Sequence, residues 1–167
     1  MFRPRTAALS AVIAAAGLVA AACGAAGTSY GQRAPHPTTP PSSTAAIPTT
    51  VSAAPSALGQ VLVDGTGRTV YVFEADTSAA STCYGACAEV WPPLLTTGPA
   101  RATSTINGPD LGSTSRRDGT TQVTFHGHPL YLFSGDGKTG AANGEAVNSF
   151  GANWYAVSPD GAEIKTA

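Results

Sequence analysis

The sequence predicts an all-β domain of two tandem β repeats, built as hairpins or a meander, with one short irregular cysteine-containing loop. A signal peptide and a disordered tether precede it. Three observations carry this prediction. The pattern Tyr-x-Phe-x-x-Asp at Tyr71, Phe73 and Asp76 returns sixty residues later at Tyr131, Phe133 and Asp136. Short runs rich in valine, threonine and aromatics are bounded by turn signals at Asp64–Gly67, Arg116–Gly119, His126–Gly127 and Ser158–Gly161. Helical periodicity is scarce, with room for a turn or two over Cys83 to Val90.

The N-terminus reads as an address. Arg3 and Arg5 precede the small and apolar run Ala7 to Ala22, which is too short and too rich in alanine for a comfortable membrane span. Residues 1–22 are therefore assigned as a signal peptide. The run Leu18 to Cys23 resembles a bacterial lipobox, with Ala20 where leucine is usual. Cys23 is assigned as the lipid attachment point. The competing reading is a secreted soluble protein with a stray thiol, and a free reactive thiol outside the cell is the less favourable of the two.

Gly24 to Ala57 is almost entirely Ala, Ser, Thr, Pro and Gly, with Tyr30, Ile47 and Val51 as its large apolar side chains. Such a stretch cannot offset the entropy of folding, and its prolines favour extended polyproline segments. Residues 23–57 are read as a lipidated cysteine and a spacer, and His36 within it as an incidental polar residue.

The folding unit is placed at 58–167, with repeats at about 60–95 and 120–158. It holds six basic residues and all ten acidic ones, a net charge of about −4. Without a basic stripe it is a poor nucleic-acid binder, since phosphate neutralisation supplies most of that affinity. Gln60 to Val63, the glycine-rich turn and Arg68 to Phe73 read as strand, turn, strand. Val70 and Val72 point one way and Tyr71 and Phe73 the other, so both faces of the second strand are apolar and the strand is interior. Thr121 to Phe125 and His128 to Phe133 repeat the scheme. Asn153 to Val157 and Ala162 to Ile164 flank the closing hairpin turn. Each copy ends on a tryptophan, Trp91 or Trp154, and the six aromatics of the two copies are assigned to the core. Asp76 and Asp136, just past their strands, are read as acceptors for following backbone amides. Calcium binding or acid–base chemistry is the alternative.

Between motif and tryptophan the copies diverge. The first carries Cys83 and Cys87, whose default state in an exported protein is a disulfide stapling an irregular loop, with Gly85 relaxing the backbone between them. A redox-active pair is the alternative, or a copper, zinc or haem-related site drawing on Cys83, Cys87, His126 and His128. Loss of Met1 with the signal peptide would leave no methionine for a thioether copper site. No nucleophile-elbow, zinc-protease or phosphate-loop motif occurs, and neither catalytic residues nor a cofactor are predicted.

Taken in order, the Asp64–Gly67 turn, both motif copies, Cys-x-x-x-Cys-Ala-x-x-Trp-Pro-Pro-Leu at 83–94, Arg117-Asp118-Gly119, Gly127 to Tyr131 and Trp154-Tyr155 resemble the bacterial lipoproteins of the Tyr-x-(Phe/Trp/Tyr)-x-x-Asp motif, a secreted repeat family of unknown function. The resemblance covers about 60–161, with His126 departing from the asparagine that would suit its turn. It implies an exported bacterial envelope protein with tandem β repeats, and no established catalytic residues. The expected function is a non-enzymatic binding or structural module held on the outer face of the cell membrane by its lipid, or else secreted. Its partner is the membrane together with an unknown envelope protein or small ligand. The alternative is a redox or metal-handling lipoprotein acting through Cys83 and Cys87.

Overall fold

Each motif strand is buried on both faces, and this divides the interior in two. In the computed structural model, which describes residues 48–103 and 106–166, Val70 and Val72 enter one apolar cluster with Val51, Leu62, Leu94, Val123, Phe125, Leu130 and Val157. Tyr71 and Phe73 enter a second with Val61, Val63, Cys83, Cys87, Trp91, Tyr131 and Trp154. The fold is all-β, with nine short strands, the five-residue helix α1 (Ala86–Val90) and one 3-10 turn (Gly108–Asp110) among the described residues. The stretches read above as signal peptide and tether, Cys23 included, lie outside them as far as Ile47.

The domain boundary at Leu58 requires correction. Strand β1 (Thr50–Ser56) lies within the stretch assigned to the tether and pairs antiparallel with β2 (Gly59–Asp64), Val51 opposite Asp64 and Ala54 opposite Val61. Its composition, Thr-Val-Ser-Ala-Ala-Pro-Ser, is weak in β-formers, and the strand is held by its backbone ladder and by burial of Val51. The second repeat likewise begins a strand earlier than position 120. Strand β5 (Leu111–Ser115) pairs with β6 (Thr121–Phe125), Leu111 opposite Phe125, as β1 pairs with β2. Asp64 organises the first motif-strand turn, its Oδ1 accepting from Thr66 N (2.8 Å), Thr66 Oγ1 (2.7 Å) and Arg68 N (3.0 Å).

The remaining pairings exchange strands between the copies. In the first, β3 (Tyr71–Phe73) pairs with β9 (Ala152–Ala156), which carries the second copy's Trp154. In the second, Tyr131 bridges Pro93 and Leu132 N donates to Pro92 O (2.8 Å), both from the tail that follows the first copy's Trp91. The correspondence runs bond by bond. Leu62 N donates to Val157 O, Val70 N to Leu62 O and Val157 N to Val70 O. In the other copy Val123 N donates to Leu94 O, Leu130 N to Val123 O and Leu94 N to Leu130 O. Each copy's tryptophan segment, β9 in the second copy and the bridged tail at 92–95 in the first, thus completes the other copy's pairing. On the local two-fold axis, Tyr71 and Tyr131 exchange backbone hydrogen bonds of 2.8 and 2.9 Å. The symmetry breaks at the edges. Strand β8 (Val147–Ser149) flanks β9 where the first copy has α1, and β4 (Arg101–Ala102) lies parallel on β1. The short β7 (His128–Pro129) closes the β5-β6-β7 sheet.

Candidate functional site

At the two-fold axis the motif residues meet their counterparts from the other copy. Tyr71 Oη donates to Asp136 Oδ2 (2.7 Å), and Tyr131 Oη donates to Asp76 Oδ2 in a short bond. The remaining carboxylate oxygens hold the divergent loops: Asp76 Oδ1 accepts from Thr82 N (2.8 Å) and Thr82 Oγ1 (2.6 Å), and Asp136 Oδ1 accepts from Asn143 N (2.8 Å). Both aspartates therefore take later backbone amides, six or seven residues on. The sequence did not reveal their crossed bond to the other repeat's tyrosine.

Beside these bonds the rings stack in the order Phe73, Trp154, Trp91, Phe133, with centroid separations of 4.1, 4.0 and 4.3 Å. Each phenylalanine lies on the other copy's tryptophan. Tyr71 meets Trp91 edge-on at 5.5 Å, and Tyr131 meets Trp154 at 5.1 Å. The loop of the second copy closes over this cluster at Gly144, where an added Cβ would lie 2.8 Å from Trp91 and 2.9 Å from Tyr71.

Burial pushes both phenols well above the usual tyrosine range, and the adjoining Asp136 and Asp76 carboxylates add to the shift. The fold thus favours the neutral phenols. Their contribution to stability is complete below the unfolded tyrosine pKa of about 10 and is lost as pH rises beyond it, because the unfolded chain then binds fewer protons. Each phenol should contribute a slope of up to about 1.4 kcal/mol per pH unit above pH 10. Urea unfolding at stepped alkaline pH should show that fall, with about half the slope in Tyr71→Phe; an equal slope in that variant would contradict the assignment.

The first copy's loop is built around the Cys83–Cys87 disulfide, whose Cα atoms are 5.3 Å apart. Gly85 takes φ +57° between the two cysteines, immediately before α1. Arg116, read from the sequence as a turn residue, is buried beneath this loop. Its guanidinium donates to Cys83 O (2.9 Å), Ser81 Oγ (2.7 Å) and Gln122 Oε1 (2.6 Å), and it pairs with Asp118 at 3.2 Å. Ser81 Oγ is also 2.7 Å from Tyr131 Oη, so the network runs from arginine to motif. The ring of Tyr84 packs against both Arg116 and Arg117. Removing the bridge as Cys83→Ser/Cys87→Ser is expected to cost about 2 kcal/mol, the loop-entropy value for so small a ring, and the wild type melted in reductant should agree with the variant while the unreduced wild type melts higher.

The histidines are occupied separately. His126 adopts φ +48° in its turn with Gly127 at +79°, and its ring packs edge-on against Phe125, over Gly161 and 3.4 Å from Asp110. His128 Nδ1 lies 3.3 Å from Asp76 O. Among the described residues no three His, Cys, Asp or Glu side chains converge as a metal site, and the two cysteine sulfurs are bonded to each other. Outside the core, the second copy's glycine-rich loop and the β1–β2 turn enclose an open groove of about 670 Å³, lined by Leu58, Lys138, Ala142 and Asn143 among others.

The sequence profile of a family described as a secreted repeat of unknown function matches residues 52–95 and again 112–158. These bounds coincide with the two exchanged repeats, including most of β1 and β5. No curated protein and no solved structure matches the chain. With both of its copies matched over more than half its length, the chain belongs to the family of secreted repeats of unknown function, an exported all-β protein.

Proposed function

We propose that this protein is a lipid-anchored component of the bacterial cell envelope whose duplicated domain serves as a non-enzymatic binding or structural module. The observation that carries this reading is the use to which the reactive groups are put. Asp76, Asp136, Tyr71, Tyr131 and Arg116 are tied to one another or to loop backbone, as a rigid scaffold requires. What the scaffold presents outward is the pair of loops in which the copies differ, together with the groove between Leu58 and Lys138. Variable loops on a rigid frame are the usual location of binding. Cys23 supplies the membrane attachment, followed by a proline-rich spacer that lifts the domain from the surface.

The anchor is tested by growing the expressing bacterium with a labelled fatty acid. Label is expected in the wild-type chain and in membranes, whereas Cys23→Ser should carry no label and appear in the medium. Equal membrane retention of an unlabelled wild-type chain would reject the anchor.

A further inference from the structure

The local two-fold relation predicts which sheet edge is open. Because Arg101 N donates to Thr49 O and Thr103 N to Val51 O, the outward positions of β1 are 49, 51, 53 and 55. In the first copy this edge is blocked twice, by β4 lying on it and by Pro55, which has no N–H to offer. The corresponding edge belongs to β5. His126 N donates to Asp110 O and Arg116 N to Thr120 O, so even-numbered residues face β6 and alternation turns Leu111, Ser113 and Ser115 outward. No described strand lies on that side, and Ser115 stands where the first copy has its proline. Gly112, Ser113 and Ser115 are exposed, and the strand carries no lysine, glutamate, proline or bulge to discourage pairing.

We propose that β5 is a docking edge for a second copy of this chain, joined antiparallel through the same strand about a two-fold axis at Ser113. In this register Ser113 pairs with its own counterpart by reciprocal N–H to C=O bonds, and each Ser115 N–H donates to the Leu111 C=O of the other chain. The charges at the strand ends select this direction and this partner. Asp110 precedes the strand and the exposed Arg117 follows it, so antiparallel pairing brings the acidic end of one chain to the basic end of the other. A parallel arrangement would set like charges together. Joining the edges extends a three-stranded sheet to six strands, an isologous contact made largely of backbone bonds. The contact covers little area and belongs with weak interfaces, so association is concentration-dependent.

The test uses the full chain with Cys23→Ser, leaving no other free thiol. Sedimentation over a concentration series is expected to show the mass rising toward twice that of one chain. Ser113→Pro should abolish the rise while keeping the melting transition, since its N–H faces outward; Thr114→Pro, facing β6, should unfold the domain. Ser113→Cys is expected to form a disulfide-linked dimer under oxidation at least tenfold faster than Thr120→Cys in the exposed turn. A single-chain mass throughout with no preferential cross-linking would overturn the proposal. Doubling that survives in Ser113→Pro would overturn it as well, by assigning association to another surface or partner.

Discussion

Trp154→Ala is expected to lose about 3–5 kcal/mol of stability, the range for deleting a fully buried large aromatic. A domain of this kind has about 5–15 kcal/mol in total, so the substitution should leave it marginally folded or unfolded. The size of the effect follows from its position. Trp154 is fully buried, stacks on Phe73 and Trp91, takes Tyr131 edge-on and donates from Nε1 to Ser149 O at 3.2 Å. It also sits on β9, so the space it vacates opens beneath the strand that completes the first copy. The surrounding rings cannot close over it, because Phe73 is held on β3 by its ladder to β9, and Trp91 is held at the end of α1 and by its Nε1 bond to Ser149 Oγ. Urea unfolding followed by circular dichroism should place its midpoint far below the wild type, with Trp91→Ala behaving alike by the local two-fold relation. Leu95→Ala, whose side chain is 41% exposed, should shift the midpoint by little. A Trp154→Ala midpoint within the range of the Leu95 control would mean that the ring stack does not hold the halves together.

Part of this packing is legible in the sequence. Alternation in Val70 to Phe73 states that both faces of a strand are buried, and Val70 and Tyr71 do enter different clusters. Asp64-Gly65-Thr66-Gly67 and Arg116 to Gly119 announce their turns because few residues accept those conformations. The strand Thr50–Ser56 is silent for the opposite reason: Ala53-Ala54-Pro55 has no intrinsic pull toward a strand, and the ladder to β2 with the burial of Val51 makes it one. The crossed pairing was hidden differently. A repeat reports which residues recur, and says nothing of whether Tyr71 meets Asp76 or Asp136. One signal pointed the right way. A buried phenol needs an acceptor, and the two motif carboxylates were the candidates, with nothing to say which of them. Arg116 gave no such signal, since an arginine before Arg-Asp-Gly reads as a turn residue until the cysteine loop is seen folded over it.

Separating the chain between the repeats, after Asp110, is expected to give two halves that fold on mixing and not alone. Each half keeps a hairpin and a motif strand but loses the tryptophan segment that pairs with it, together with the partners of both its motif tyrosine and its motif aspartate and half of the ring stack. A fragment of this size buries too little surface to compensate for a bare strand edge at its centre. Equimolar mixing should restore the native circular dichroism spectrum, with a one-to-one complex by sedimentation; a monomeric, cooperatively melting single half would refute the exchange. The halves need not behave alike when kept apart. Strand β3 places Val72 opposite Tyr155, whereas the first half's own tail offers Pro92 at that position, which has no N–H to return. Two copies of the first half therefore cannot reproduce the ladder that β9 supplies. Two copies of the second half meet no such obstacle, since Tyr155 can serve Leu132 as it serves Val72. Self-association should accordingly appear in the second half and compete with complementation at high concentration. The proline pair at 92–93 then has a physical role beyond ending α1, because it excludes the first copy's own tail from the ladder that β3 makes with β9.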